Sequence, residues 1–253
     1  MSLISFVVSI FPILLIGLLI YKFDKEKEPS RFLFKLFVLG ITSCYPAAII
    51  SLILGNSFTE IGNMSFIELF NYVFITIAMI EELCKWFFLY KFTYNHKEFD
   101  SSYDMIVYAV FISLGFACFE NVLYVFNYGL NIGLFRAISA VPGHACYGIL
   151  MGIYLGIAKI KDINNDMNGS RKYKLLSILI PVVAHGIYDF CLLQGGLFFI
   201  VFFVIFIIFL DIYCIIKVKN ISRNSLKFKN RLCISCGFEI GTKYCTRCGT
   251  KNI

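Results

Sequence analysis

Long apolar segments alternate with short polar ones along the chain as far as residue 217. Each apolar segment is long enough to cross about 30 Å of hydrocarbon as a helix rising about 1.5 Å per residue. The fold predicted from this pattern is an all-α polytopic membrane helix bundle of about seven transmembrane helices. The predicted spans lie near residues 3–21, 34–54, 66–90, 104–127, 134–158, 174–193 and 197–217.

The lysines and arginines between the predicted spans are confined to alternate connections. Basic residues follow the first, third, fifth and seventh spans, whereas the connections 55–65, 128–133 and 194–196 contain none. Basic residues favour the cytoplasmic side of a membrane. The pattern therefore predicts an N-terminus outside the cell and a C-terminus in the cytoplasm.

Composition agrees with a membrane protein. The chain is 59% hydrophobic and 15% charged, whereas soluble domains contain about 25% charged residues. The net charge is +7, but the basic residues cluster at the ends of apolar segments. We therefore expect contact with the lipid bilayer and no binding of nucleic acid. The cysteines inside the apolar segments are expected to pack as small hydrophobic side chains.

Acidic and histidine side chains lie inside four of the apolar segments. An ionisable group at bilayer depth costs about 2.5–3.5 kcal/mol on insertion scales, so these groups predict one polar site inside the bundle. Carboxylates with imidazoles suit proton transfer, water activation or metal binding. A protease, an ion-coupled transporter and a membrane sensor are all compatible with such a site. The residues are Glu81, Glu82, Glu120, His144, His185 and Asp189.

Helical spacing predicts contacts between some of these residues. Glu81 and Lys85 are four residues apart and share one helix face, whereas Glu82 points about 100° away. Two adjacent carboxylates with one cation are expected to have unlike environments. His185 and Asp189 are also four residues apart, so the carboxylate can orient the imidazole.

The remaining two candidates depend on contacts between helices. Glu120 has no basic residue nearby in its own predicted span, so its partner is expected from another helix. Pro142 and Gly143 precede His144 and predict a distorted helix beside a polar cavity. Glycines at four-residue spacing then predict a face for close helix packing. They are Gly148, Gly152 and Gly156.

Four short motifs, in order on four spans, resemble the PrsW family of bacterial intramembrane proteases. That family is distantly similar to the CAAX-processing and bacteriocin-processing membrane proteases. The resemblance covers residues 66–190 and implies a protease domain over residues 1–218 in the bacterial cytoplasmic membrane. It also implies site-1 cleavage of a single-span membrane substrate, an anti-sigma factor. The motifs are Glu81-Glu82-x-x-Lys85, Phe116-x-x-x-Glu120-Asn121, His144-x-x-x-Gly148 and His185-x-x-Tyr188-Asp189.

The resemblance also implies catalytic roles. Glu81 would activate water, with Glu82 beside it. The family is described both as glutamic and as metal-dependent, and glutamates with histidines are able to bind a divalent ion. We favour the glutamic mechanism and leave a catalytic metal open. His144 and His185 would stabilise the oxyanion or help to hold the water. Glu120 and Asp189 would orient the two imidazoles. Lys85 and Asn121 would have supporting roles.

The C-terminal tail predicts a separate small domain. A basic linker at 219–231 is followed by two C-x-x-C motifs within 232–253. Two such motifs, each followed by glycine, are typical of a zinc ribbon, and disulfides are rare in the cytoplasm. We expect a structural Zn²⁺ in this ribbon. Its predicted ligands are Cys233, Cys236, Cys245 and Cys248.

Overall fold

The computed structural model describes residues 3–55, 60–225, 231–232, 235–236, 239–240 and 247–250. Helices make up nearly all of the described chain before the tail. Two short antiparallel strands follow, β1 (Arg231–Leu232) and β2 (Glu239–Ile240). The helical elements are α1 (Leu3–Phe23), α2 (Ser30–Gly55), a 3-10 turn (Ile61–Asn63), α3 (Phe66–Asn71), a π-helix (Tyr72–Met79), α4 (Ile80–Thr93), α5 (Asp104–Tyr128), α6 (Leu130–Ile138), α7 (Ala140–Ile163), α8 (Met167–Gln194) and α9 (Gly196–Arg223).

The predicted all-α membrane bundle is confirmed. Within the described residues, five helical segments are long and apolar enough to cross a membrane: α2, α5, α6 together with α7, α8 and α9. A shorter apolar stretch, Ser9–Phe23, belongs to α1. The predicted span 66–90 is formed by α3, the π-helix and α4, which follow one another without a break.

Helix α5 lies at the centre of the bundle and packs against α1, α2, α4, α6 and α7. Its contact with α2 is made through glycine. A Cβ atom added to Gly40 would overlap the carbonyl oxygen of Ile112, and one added to Gly115 would overlap that of Phe37. The two helices therefore cross with their backbones in contact, as small residues allow in membrane proteins.

The predicted close-packing face of α7 is confirmed, and it faces α5. A Cβ atom added to Gly152 would lie 2.6 Å from the Cα atom of Ile106. A Cβ atom added to Gly148 would lie 3.0 Å from the Ala109 carbonyl oxygen of α5, and one added to Gly156 would lie 3.3 Å from the Ser102 carbonyl oxygen, just before α5. This close approach brings side chains of α5 and α7 within hydrogen-bond distance of each other.

Two breaks in the backbone separate consecutive helices. Gly195 and Gly196 have φ angles of +66° and +80°, which glycine adopts readily, and they separate α8 from α9. The break before α7 lies at Ser139, where φ and ψ are −122° and −62°. Pro142 falls in the first turn of α7, where proline is tolerated. The distortion expected at the Pro-Gly pair therefore occurs three residues earlier.

The described part of the tail contains turns and the two strands. Cys236 and Cys248 lie in exposed turns, whereas Cys233 and Cys245 lie outside the described residues. The hydroxyl of Thr250 donates to that of Ser235 at 3.0 Å, so the turn at 247–250 contacts the turn at 235–236.

Candidate active site

The predicted site residues come together inside the bundle. Their side chains form one connected set of hydrogen bonds and ion pairs between α4, α5, α7 and α8. The set includes every acid and histidine named from the membrane segments, together with Lys85. Its members are Glu81, Glu82, Lys85, Glu120, His144, His185 and Asp189.

Lys85 lies at the centre of this cluster and is 1% exposed. Its Nζ atom is 2.7 Å from Glu82 Oε1 and 3.5 Å from Glu81 Oε2. It also lies 3.1 Å from His144 Nδ1 and 4.0 Å from the centre of the Phe116 ring. The expected contact between Glu81 and Lys85 is present, but the shorter contact of the lysine is with Glu82, three residues away.

His185 lies between two carboxylates. Its Nδ1 atom is 2.9 Å from Glu82 Oε1, and its Nε2 atom is 3.2 Å from Asp189 Oδ2. An ionised carboxylate only accepts hydrogen bonds, so both nitrogens are satisfied when both carry hydrogen. The geometry therefore favours an imidazolium whose two nitrogens are engaged by protein acids.

Glu120 and His144 form the other half of the cluster. His144 Nε2 lies 2.8 Å from Glu120 Oε2. Because the ammonium of Lys85 can only donate, it fits a His144 tautomer that accepts at Nδ1 and carries its hydrogen on Nε2. His144 then donates to Glu120. The partner expected for Glu120 from another helix is therefore found on α7.

Arg136 of α6 is a second partner of Glu120 and was not among the site residues predicted from the sequence. Its Nη2 atom lies 3.0 Å from Glu120 Oε1, and its Nε atom donates to Asn121 Oδ1 at 3.3 Å. The guanidinium covers the Tyr124 ring at 3.8 Å. A lone arginine inside the apolar run 132–138 was the available signal. Asn121 also donates to the Ser9 carbonyl at 3.1 Å, which connects the site to α1.

The cluster has a closed side and a more open side. The Glu82 side chain is completely buried. The side chains of Glu81, Glu120 and Asp189 are 16%, 21% and 23% exposed. Among the described residues one buried oxygen of each glutamate, Glu81 Oε2 and Glu82 Oε2, accepts no hydrogen bond, so the difference between the two lies in their exposure. Glu81 is therefore the glutamate of the pair that is better placed to meet water.

A π-helix immediately before α4 positions the two glutamates. The hydroxyl of Ser51 donates to the Thr76 carbonyl at 2.7 Å, within this π-helix. The Phe74 ring packs against Gly186, where an added Cβ atom would overlap it. Gly186 follows His185, so the π-helix contacts α8 beside the site. Such helices are frequent at functional sites, but the hydrophobic pattern did not predict this one.

Tyr147 is a further buried side chain of the site that was not predicted from the sequence. Its ring stacks on the His185 imidazole with 4.8 Å between centroids and 15° between planes. The His144 ring lies nearly perpendicular to the Tyr147 ring, with 5.7 Å between the two centroids. The two imidazoles also contact each other, with 5.5 Å between centroids, so Tyr147 packs against both members of a histidine pair. In the sequence, Tyr147 is one of several large side chains in an apolar segment, and nothing there marks it as a site residue.

Comparison with known proteins identifies the family. The profile described as "PrsW family intramembrane metalloprotease" matches residues 28–212. The chain belongs to the PrsW family. The resemblance seen over 66–190 is confirmed and extends beyond those residues.

Curated relatives of this PrsW-family chain are named Protease PrsW. The protein of Oceanobacillus iheyensis is 36% identical over 218 residues, which cover 86% of this chain and 96% of the relative. That of Bacillus subtilis is 36% identical over 180 residues, covering 70% and 78%. That of Clostridioides difficile is 31% identical over 216 residues, covering 83% and 88%. No solved structure matches the chain. The protein is a multi-pass membrane protease.

Three side chains of this PrsW-family site fit a divalent cation. Glu81, Glu120 and His144 offer ligand atoms that all lie within 4.8 Å of one another. Carboxylate oxygens and imidazole nitrogens are common ligands of catalytic zinc. Lys85 contacts two of the same three side chains, so a protein cation already lies beside this donor set.

Proposed function

We propose that this PrsW-family protease is an intramembrane endopeptidase that makes the first cut in a single-span regulatory membrane protein. The observation that carries the proposal is the Glu81 carboxylate on the open side of a buried cluster of acids and imidazoles. The substrate class, an anti-sigma factor, rests on the family resemblance. A protein of this class has one membrane span, which is an appropriate substrate for a site inside a helix bundle.

In the glutamic mechanism, Glu81 accepts a proton from water while the water oxygen attacks the peptide carbonyl carbon. Glu81 later returns the proton to the leaving amine, as a general base that becomes a general acid. The positive charge of Lys85 lies 3.5 Å from Glu81. Inside a low-dielectric site this charge counters the negative charge that develops in the transition state. Glu120 and Asp189 hold His144 and His185 in place.

A metal-dependent mechanism is the second candidate. Glu81, Glu120 and His144 would hold the ion, which would act as a Lewis acid and lower the pKa of a bound water. Lys85 favours the glutamic mechanism, because its ammonium already supplies a cation next to Glu81 and His144. In both mechanisms Glu81 is indispensable.

The test is cleavage of single-span anti-sigma factors by the full-length protein in nanodiscs. Glu81→Gln should lower the cleavage rate by about 10²–10⁴-fold, the usual range for loss of a general acid–base group. Asp211→Asn is the matched control, since Asp211 is a membrane-helix carboxylate that accepts from the Cys146 thiol on another face of α7. Asp211→Asn should cleave like the wild type. Equal cleavage by Glu81→Gln and the wild type would contradict the proposal.

Metal analysis of the same samples separates the two mechanisms. Elemental analysis before and after chelation gives the number of bound ions, and the cleavage assay gives the activity at each stage. Activity that survives complete removal of metal supports the glutamic mechanism. Activity that is lost and then restored by a divalent ion supports the metal-dependent one.

We further propose that the protein lies in the bacterial cytoplasmic membrane with its N-terminus outside and its C-terminus in the cytoplasm. The support is the restriction of basic residues to alternate connections. Reporter fusions at the two termini test this orientation. A reporter that is active only outside the cytoplasm should be active at the N-terminus and inactive after Ile253.

We also propose a structural zinc in the tail, bound by Cys233, Cys236, Cys245 and Cys248. The two C-x-x-C motifs support it, as does the contact between the turns at 235–236 and 247–250. The double variant Cys233→Ser/Cys245→Ser should lose one zinc per chain and keep cleavage. Unchanged zinc content in this variant would contradict the ribbon.

A further inference from the structure

We propose that Arg136 is a positioning residue of this active site, which holds the Glu120 carboxylate against His144. The functional part of this inference rests on the proposed protease activity. The effect of Arg136 on the position and tautomer of His144 does not depend on that activity.

The guanidinium of Arg136 is directed into the site. Its side chain is 12% exposed, and three neighbours on α5 surround it. Glu120 supplies an ion pair, Asn121 a hydrogen bond, and Tyr124 a ring face under the guanidinium plane. Arginine suits this combination, because its planar fork binds a carboxylate and stacks on an aromatic ring at the same time.

The break at Ser139 makes this arrangement possible. Arg136 and His144 are eight residues apart, so in one continuous helix they would emerge about 12 Å apart along the axis. Instead, Ser139 interrupts the helix between α6 and α7, and the two side chains contact different oxygens of Glu120. Arg136 lies at Oε1 and His144 at Oε2.

Both ends of α6 are held in place. Gly129 begins the helix with a φ of +85°, and Gly133 packs so closely on Val125 that a Cβ atom there would overlap a methyl group. At the other end, Tyr188 donates to the Ser139 hydroxyl at 2.9 Å. Arg136 therefore belongs to a helix with a defined position on α5 and next to α8.

Loss of Arg136 should act on His144 through Glu120. Without the guanidinium, Glu120 loses the positive charge beside it and the contact that holds its Oε1 atom in place. His144 then loses a fixed acceptor at Nε2, so its alignment with Lys85 changes as well. Misplacement of a reacting group by about 1 Å can cost about 10²-fold in rate. We expect the loss in kcat, with little change in KM, because no contact of Arg136 with the substrate is needed.

The first readout is nitrogen NMR of full-length protein labelled at histidine, in nanodiscs. The chain contains three histidines, so single histidine variants assign every signal. In Arg136→Gln, the ring-nitrogen signals of His144 should shift, while those of His96 should not. Arg136→Lys should retain most of the wild-type signals, since it keeps the charge. Lys159→Gln is the matched control, because Lys159 is a buried cation that donates to the Tyr94 carbonyl far from the cluster.

The second readout is cleavage by the same variants. We expect kcat to fall by about 10²-fold in Arg136→Gln, to recover at least in part in Arg136→Lys, and to stay at the wild-type value in Lys159→Gln. Wild-type His144 signals in Arg136→Gln, or an equal shift in Lys159→Gln, would overturn the inference. Absence of cleavage by the wild type would count against the proposed function alone, since the NMR comparison still decides the role of Arg136.

Discussion

Glu82 and His185 are joined by a hydrogen bond of 2.9 Å between Oε1 and Nδ1, although 103 residues separate them in the chain. The same carboxylate oxygen lies 2.7 Å from Lys85 Nζ. Glu82 is completely buried, whereas the neighbouring Glu81 is on the more open side. The two adjacent glutamates therefore have different roles. Glu82 holds two cationic side chains in place, and Glu81 is the one that is able to contact water.

Glu82→Gln should destabilise the fold, whereas Glu81→Gln should not. Removing one partner of a buried ion pair costs about 3–5 kcal/mol, because the other charge is left uncompensated. Here both Lys85 and His185 lose the negative charge that they share, although the amide oxygen of glutamine still accepts hydrogen bonds. The measurement is the thermal unfolding midpoint in nanodiscs, followed by the fluorescence of Trp86, the single tryptophan of the chain. Equal midpoints for the two variants would contradict the division of roles.

Gly186→Ala should impair cleavage through the π-helix. The added methyl group would overlap the Phe74 ring, so the π-helix must move away from α8 next to His185. We expect about a 10-fold loss of cleavage, consistent with a small displacement of the site. The double variant Phe74→Leu/Gly186→Ala relieves the overlap and should recover part of the rate. A double variant no better than the single one would show that this contact does not position the site.

Gly40→Ala should destabilise the crossing of α2 and α5. Its methyl group would overlap the Ile112 backbone, which cannot move away as a side chain can. Overpacking typically costs about 1–3 kcal/mol. Gly17→Ala is the matched control, because its methyl group would meet Leu114 at an ordinary 3.7 Å. Unfolding midpoints of both variants check the prediction, which fails if Gly40→Ala is as stable as Gly17→Ala.

Glu28 should make stability depend on pH. It lies in the connection between α1 and α2, and burial raises its pKa from 4.5 to about 8. Tyr108 lowers that pKa through a hydrogen bond, whereas Asp104, Asp24 and Glu98 raise it further by like-charge repulsion. Between these two pKa values the folded state holds a proton that the unfolded state has released. Its contribution to stability is therefore complete below about pH 4.5 and is lost as the pH rises through about 8.

The Glu28→Gln variant isolates this effect. It keeps the shape of the side chain and removes its titration, so it should match the wild type near pH 5 and unfold at a higher temperature near pH 8. The wild type should show the larger fall in unfolding midpoint between these two values. Parallel pH profiles of the two proteins would show that Glu28 does not contribute.

Several features of this protein follow from local sequence alone. The apolar segments predict the helices, since each must satisfy its backbone hydrogen bonds internally in a membrane. The four-residue spacing of His185 and Asp189 predicts their contact, because it places both on one face of one helix. The glycine spacing on α7 predicts a close-packing face in the same way. Each of these relations lies within a single helix, so the helical repeat is enough to predict it.

Other features depend on how the helices cross, and the sequence did not predict them. The pairing of Glu82 with His185 requires a particular rotation of α4 relative to α8. The approach of Arg136 to Glu120 requires the break at Ser139 and the return of α6 onto α5. The π-helix before Glu81 changes the direction of both glutamates without changing the hydrophobic pattern. The sequence by itself determined which polar groups enter the membrane and which helices carry them. Only the tertiary structure decided which of them meet, because the contacts depend on packing between segments far apart in the chain.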